Sequence, residues 1–224
     1  MLLRSFSEAN LLTEDFAGQL KQILCEAIAQ RGHAYLAVSG GKTPVALFGT
    51  LAKLNIPWNK VTVTLTDERC VPIDDPDRNE RLVRQFLLQH NASEAHFLSL
   101  YQEGYSLEET EQMIASLPPF DAVILGMGED GHVASLFPCS AELMMGMDDN
   151  APAVLRVNPK TASYERISLT KKRLLNSRVI FIHLLGKKKL AVLHQAMSEQ
   201  NSMVMPASAF LNHLDANVQV LYAP

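Results

Sequence analysis

The sequence predicts an α/β protein with a Rossmann-like, open, mostly parallel sheet and helices on both faces. Short apolar runs rich in Val, Ile, Leu and Thr recur at 34–38, 61–66, 121–125, 179–185 and 218–222. They have the length and β-branched content of strands buried on both faces. Helical patterns fall between them, and strands alternating with helices imply βαβ units. Four of the runs lead straight into polar or glycine-rich turns. In a parallel sheet those turns share one edge, the edge where open α/β sheets bind ligands.

Phe16, Leu20, Ile23, Leu24, Ala27 and Ile28 are spaced for one face of a helix over 13–30. Thr43-Pro44 reads as a helix start, Thr as cap and Pro at the first helical position, with the helix running to about Leu54. A further helix is expected over 79–88. Ser106 and Glu109 form a capping-box pair opening 107–116, and Thr170 is placed to cap 171–176. The Lys-rich segment 187–197 has an amphipathic pattern, and 207–213 a short helical one. A weaker strand is expected at 153–157, and 139–152, with three methionines, is the least regular part. There is no internal repeat and no linker, so residues 1–224 are expected to form a single domain, given roughly 100–200 residues per domain.

Bulk properties exclude several classes. The net charge of −4 gives no support for a nucleic-acid partner or an anionic membrane surface. Cys25, Cys70 and Cys139 have no CxxC spacing, which argues against a disulfide framework and a structural zinc site. No histidine pair has HExxH spacing. The amino terminus has no apolar core behind a basic segment, and no run approaches 18 apolar residues. A cytoplasmic address is expected; a monomer and a homodimer both remain open.

The densest chemistry lies at 126–138, Gly-Met-Gly-Glu-Asp-Gly-His-Val-Ala-Ser-Leu-Phe-Pro. Glycines lose more chain entropy on folding than other residues, so three in one turn point to close approach by a ligand. His132 sits among them with Glu129 and Asp130, and is a candidate general base or acid. The other histidines, at 33, 90, 96, 183, 194 and 213, lack such surroundings. Ser39-Gly40-Gly41-Lys42-Thr43 resembles a phosphate cradle without Walker A or GxGxxG spacing. Asp67-Glu68-Arg69 follows a strand; a surface ion pair is the plain alternative, and its place on the ligand edge favours a functional one. One of Lys187, Lys188 and Lys189 is suited to act as a phosphate counter-charge. Cys70 has no histidine placed to activate it, and no GxSxG elbow occurs.

Gly126 to Pro138 resembles the signature of the 6-phosphogluconolactonases. Asp67-Glu-Arg-Cys-Val-Pro72 with Asn79 downstream, Ser39-Gly-Gly-Lys-Thr-Pro44, Arg166-Ile-Ser-Leu-Thr170 and Gly186-Lys-Lys-Lys189 resemble the family's other blocks, in order. The resemblance implies cofactor-free hydrolysis of 6-phospho-D-glucono-1,5-lactone, with a small phosphorylated sugar lactone as partner. It implies His132 as base, and substrate or phosphate contacts from Ser39, Gly40, Gly41, Lys42, Thr43, Arg69, Asn79, Arg166 and Lys189. Backbone N–H groups around Gly128 are placed to stabilise an oxyanion. Asp67 and Asp130 are both candidates to support the imidazole. Arg78 and Val133 depart from the family pattern, where Ser and Thr are common. The related glucosamine-6-phosphate deaminases carry a glutamate after the turn, where this chain has Leu136-Phe137-Pro138. A non-catalytic sugar-phosphate-binding module is the third alternative.

Overall fold

The computed structural model describes residues 1–224. The chain begins with β1 (Leu2–Ser5), α1 (Ala9–Arg31), β2 (Ala34–Val38), α2 (Val45–Leu51), β3 (Val61–Leu65), β4 (Asp67–Arg69) and α3 (Asn79–Phe86). It continues with β5 (His96–Leu98), α4 (Leu107–Ala115), β6 (Ala122–Leu125), α5 (Leu143–Gly146), β7 (Val154–Val157) and β8 (Arg166–Leu169). It ends with α6 (Lys171–Leu175), β9 (Ile180–Leu185), α7 (Lys187–Ser198), α8 (Ser208–Leu211) and β10 (Val218–Ala223).

Seven strands form one sheet in the order β1-β10-β9-β6-β2-β3-β5, and every pair in it is parallel. The expected open, parallel α/β architecture is therefore present. The five apolar runs are its strands β2, β3, β6, β9 and β10. The run at 153–157 is β7, and it lies in a separate antiparallel sheet, β4-β8-β7.

The order of the strands explains where a ligand can sit. From β2 the chain proceeds outward to β3 and β5; from β6 it proceeds the other way, to β9 and β10. With right-handed crossovers, α2 and α3 lie on one face and the connections after β6 on the other. The connections leaving neighbouring strands β2 and β6 thus run to opposite sides, and the crevice beyond their carboxyl ends is the switch point of the sheet.

Local chemistry agrees with most expected helix ends. Ser106 and Glu109 make both bonds of the capping box, and the Thr170 hydroxyl accepts from the Arg173 N–H at 3.3 Å. Thr43 does not cap α2. Pro44 takes the N-cap position, with no side-chain bond, and α2 ends at Leu51 rather than Leu54. Gly32 ends α1 in the left-handed region at φ 80°, its N–H bonding to the Ile28 carbonyl. The core is one connected cluster running through both sheets, with Trp58, Phe16, Phe48, Phe120, Phe181 and Phe210 among its largest members.

Candidate active site

A cavity of about 290 Å³ opens at the switch point. Its walls include Ser39, Gly40, Gly41 and Thr43 from the loop after β2, and Gly126, Met127, Gly128 and His132 from the loop after β6. Asp67 and Arg69 of β4, Asn79 of α3, Arg166 of β8 and Lys189 of α7 complete the polar lining. Residues from 39 to 189 thus converge on one space. Of the expected site residues, two do not line it. Lys42 is exposed, and Asp130 sits behind His132.

His132 and Asp130 form a pair, with Nδ1 and Oδ1 2.5 Å apart. Burial alone would raise the Asp130 carboxyl, but hydrogen bonding and charge pairing with His132 hold it below the ordinary value. An ionised carboxylate only accepts, so Nδ1 carries the proton and Nε2 is left as the basic nitrogen. The Phe137 ring lies 4.0 Å from the imidazole, centroid to centroid, and backs it with an apolar surface. Gly128 is required by the same ring: a Cβ there would overlap His132 Nδ1 and Cε1. The Gly128 N–H donates to the His132 carbonyl at 2.8 Å, closing the turn. Gly131 adopts φ 78°, and a Cβ on it would press Met205.

Between the two candidate carboxylates, Asp130 touches the ring and Asp67 does not. The Asp67 Oδ2 accepts from the Ser135 hydroxyl at 2.6 Å and lies 3.7 Å from Arg166 Nη1. Asp67 therefore organises the arginine side of the cavity. Burial lowers the Arg166 pKa, partly countered by Asp67. Arg166 also stacks over Phe137, at 5.2 Å from the ring centroid, so one phenylalanine buttresses both the imidazole and a guanidinium.

Strand geometry explains how the Asp67-Glu68-Arg69 run divides its labour. Strand β4 pairs antiparallel with β8, placing Arg69 opposite Arg166 and Asp67 opposite Ser168. Alternate side chains face opposite ways, so Asp67 and Arg69 line the cavity while Glu68 turns inward and is wholly buried. The Glu68 carboxylate accepts from the backbone N–H groups of Arg69, Asn79 and Glu80 at 2.6, 2.9 and 2.8 Å, and caps the start of α3. It is no surface ion pair. Arg78, the departure from the family pattern, is its partner, with Nε 3.0 Å from Oε2. Arg78 also holds Glu80 and the Val71 and Tyr101 carbonyls, so it supports β4 and α3 and does not line the cavity. Asn79 donates to the Asp67 carbonyl at 2.9 Å, and its side chain occupies the space a Cβ on Gly40 would need.

Among the three lysines that follow β9, only Lys189 lines the cavity, its ammonium donating to the Met127 carbonyl at 2.6 Å. Sequence reasoning missed Met127, Ala134 and His183 as lining residues. Ala134 holds φ 49°, a left-handed conformation that is uncommon for a residue with a Cβ. His183 gives no such signal in the sequence, since it has no glycine turn or carboxylate beside it. The open space beside it comes from Gly126, just past the end of neighbouring strand β6, which the sequence around residue 183 does not display.

An open parallel sheet with a histidine–carboxylate pair, two arginines and a lysine at its switch point defines an α/β protein with a cation-rich cavity suited to a small anion. The chain belongs to the family described as glucosamine-6-phosphate isomerases/6-phosphogluconolactonase, which matches residues 7–219. A curated 6-phosphogluconolactonase of Rhizobium meliloti (strain 1021) is 39% identical, covering 98% of this chain and 97% of its own. One from Pseudomonas aeruginosa is 38% identical, covering 91% and 87%. The crystal structure of a 6-phosphogluconolactonase from Shewanella baltica OS155 superposes with a TM-score of 0.97 at 40% identity, covering 100% of this chain and 98% of that one. No helix is long and apolar enough to cross a membrane.

Proposed function

We propose that this chain is a 6-phosphogluconolactonase, hydrolysing 6-phospho-D-glucono-1,5-lactone to 6-phospho-D-gluconate with His132 as general base. The observation that carries the mechanism is His132 on the cavity wall, paired with Asp130 behind it at 2.5 Å, in the same lining as Arg69, Arg166 and Lys189. The substrate has matching halves: a phosphate at one end and an activated ester at the other.

The Ser39–Thr43 loop, Arg69 and Lys189 hold the phosphate, with Arg166 contributing beside them and Asn79 fixing the loop through its contact with Gly40. Arg69 and Arg166 each keep a buried Nε without a protein partner, which suits them to an anionic ligand. Anchoring that end sets the lactone carbonyl near His132, turning binding energy into orientation. Nε2 takes a proton from water as the oxygen attacks the carbonyl carbon. Backbone N–H groups of the glycine turn stabilise the oxyanion. The ring C–O bond then breaks, and the imidazolium returns its proton to the departing oxygen. Asp130 stabilises the imidazolium. The balance is one water consumed and one carboxylic acid formed, which ionises in solution.

The connected core supports reading residues 1–224 as a single domain. A soluble sugar-phosphate substrate fits a cytoplasmic setting.

Parallel assays on the purified protein test the reading. Hydrolysis of the lactone above its spontaneous rate, with no ammonia release from glucosamine 6-phosphate, is the expected pattern. Deamination of the amino sugar, or lactone loss no faster than the blank, contradicts it. Lys189→Ala should raise KM for the phosphorylated lactone roughly 10-fold or more, as expected for loss of a charge-assisted bond. An unchanged KM would remove Lys189 from phosphate binding.

A further inference from the structure

His183 is a second histidine on the wall of the same cavity, and no step above uses it. It is 3% exposed, and neither ring nitrogen has a hydrogen-bond partner in the protein. Buried polar groups are almost always paired, and an unpaired one costs free energy. Its packing neighbour offers nothing polar: the Phe16 ring meets the imidazole edge-on at 5.5 Å.

The sheet register shows what keeps the ring beside the cavity. Ile182 pairs with Leu125 and Val38 with Ile124. One step on from the first pair, His183 of β9 stands beside Gly126; two steps on from the second, Gly126 stands beside Gly40. Residues in register on parallel strands project to the same face. The row across three strands therefore runs glycine, glycine, histidine. A Cβ on Gly126 would meet nothing nearer than the Ser39 hydroxyl at 3.9 Å. In the rows below, Val38, Ile124 and Phe181 fill the space with apolar bulk. At the level of His183 the space beside Gly126 is therefore open, while the Asn79 side chain fills the space beside Gly40.

We propose that His183 is a substrate-binding residue that donates a hydrogen bond to the phosphate group of the bound ligand. Burial pushes the ring down to about 4, so it is neutral at physiological pH and has one N–H donor and one acceptor. Arg69, Arg166 and Lys189 supply the charge; His183 supplies a neutral donor from the same cavity lining. The assignment rests on the lactonase reading for the position of the phosphate.

Nitrogen-15 labelling of the histidines in the full-length protein, with the His183 signals identified by their loss in His183→Gln, gives a direct readout. Titration with 6-phosphogluconate, and separately with inorganic phosphate, should shift the His183 ring signals, while gluconate should not. His183→Phe should weaken 6-phosphogluconate binding by 10-fold or more and leave kcat within about 3-fold, and His183→Gln should restore most of the affinity. Ring signals unmoved at saturating 6-phosphogluconate, an equal response to gluconate, or wild-type affinity in a folded His183→Phe each overturn the proposal. If His183→Phe fails to fold, the wild-type titration decides alone. A protein that shows no lactone turnover but whose His183 signals respond to inorganic phosphate keeps the anion contact and loses the lactonase reading, so the two failures are separate.

Discussion

At the residue scale, the cavity turns on which carboxylate serves His132. Sequence proximity left Asp130 in question and Asp67 equally open, because two residues apart in a glycine turn fixes no geometry. Gly131, at φ 78°, supplies the reversal that brings the Asp130 oxygen to Nδ1. Asp130→Asn should therefore lower kcat by about 10-fold or more, since a neutral amide stabilises the imidazolium less. Asp67→Asn should act mainly on KM, through Arg166. Equal kcat effects from the two substitutions, measured at saturating lactone, would count against this division. Gly128→Ala tests the ring position independently: its Cβ overlaps the imidazole, so kcat should fall while secondary structure by circular dichroism is kept. An unchanged kcat would mean the ring has freedom the structure does not show. The blocks 39–43, 67–69, 126–132, 166 and 189 were legible as site segments because each combines small, charged or proton-transferring residues. His183 was not legible, because the open space beside it depends on Gly126, in the loop after the neighbouring strand.

At the element scale, long apolar strands and periodic helices could be read in advance, and elements defined by their partners could not. Val61 to Leu65 announces itself by composition. The run Asp67-Glu68-Arg69 is wholly polar, and is a strand only because β8 pairs with it. His96-Phe97-Leu98 is too short to show a period, and edge strand β1 has only four residues. Thr43 was expected to cap α2, but it lines the cavity instead. The Glu68–Arg78 pair is the brace of this region. Removing one partner of a buried ion pair typically costs 3–5 kcal/mol, because the other charge is left uncompensated. Arg78→Ala should thus lower the unfolding midpoint in urea and disturb α3 together with β4. A variant as stable as the parent would show that Glu68 adjusts by taking up a proton, a change made easier by burial, which pushes its carboxyl up to about 7 despite Arg78.

At the scale of the whole molecule, the opposite directions of the connections after β2 and β6 create the cavity, and buried titratable groups tie the fold to pH. His183 has its pKa lowered from 6.5 to about 4 by burial. A lowered value means the unfolded chain binds the proton more readily. The stability this neutral ring contributes is complete above about pH 6.5 and is lost as pH falls toward 4. The shift corresponds to roughly 2–3 kcal/mol between pH 7 and pH 4.5 at 1.36 kcal/mol per unit. His183→Leu should flatten the acid limb of the stability profile by about that amount, as measured by urea unfolding at the two pH values. An identical acid limb would contradict the burial of a neutral ring. The topology also explains why family resemblance and physical reading converge: the polar segments that line the cavity are carboxyl-end loops of one sheet, or flank it through β4 and β8. The measurement that bears most directly on the central claim is kcat for 6-phosphogluconolactone hydrolysis by His132→Ala and wild type. It is taken at saturating substrate and corrected for spontaneous opening. General base catalysis contributes about 10²–10⁴-fold, so the variant should lose that factor in kcat with KM changed little. A His132→Ala enzyme with near-wild-type kcat would contradict the account.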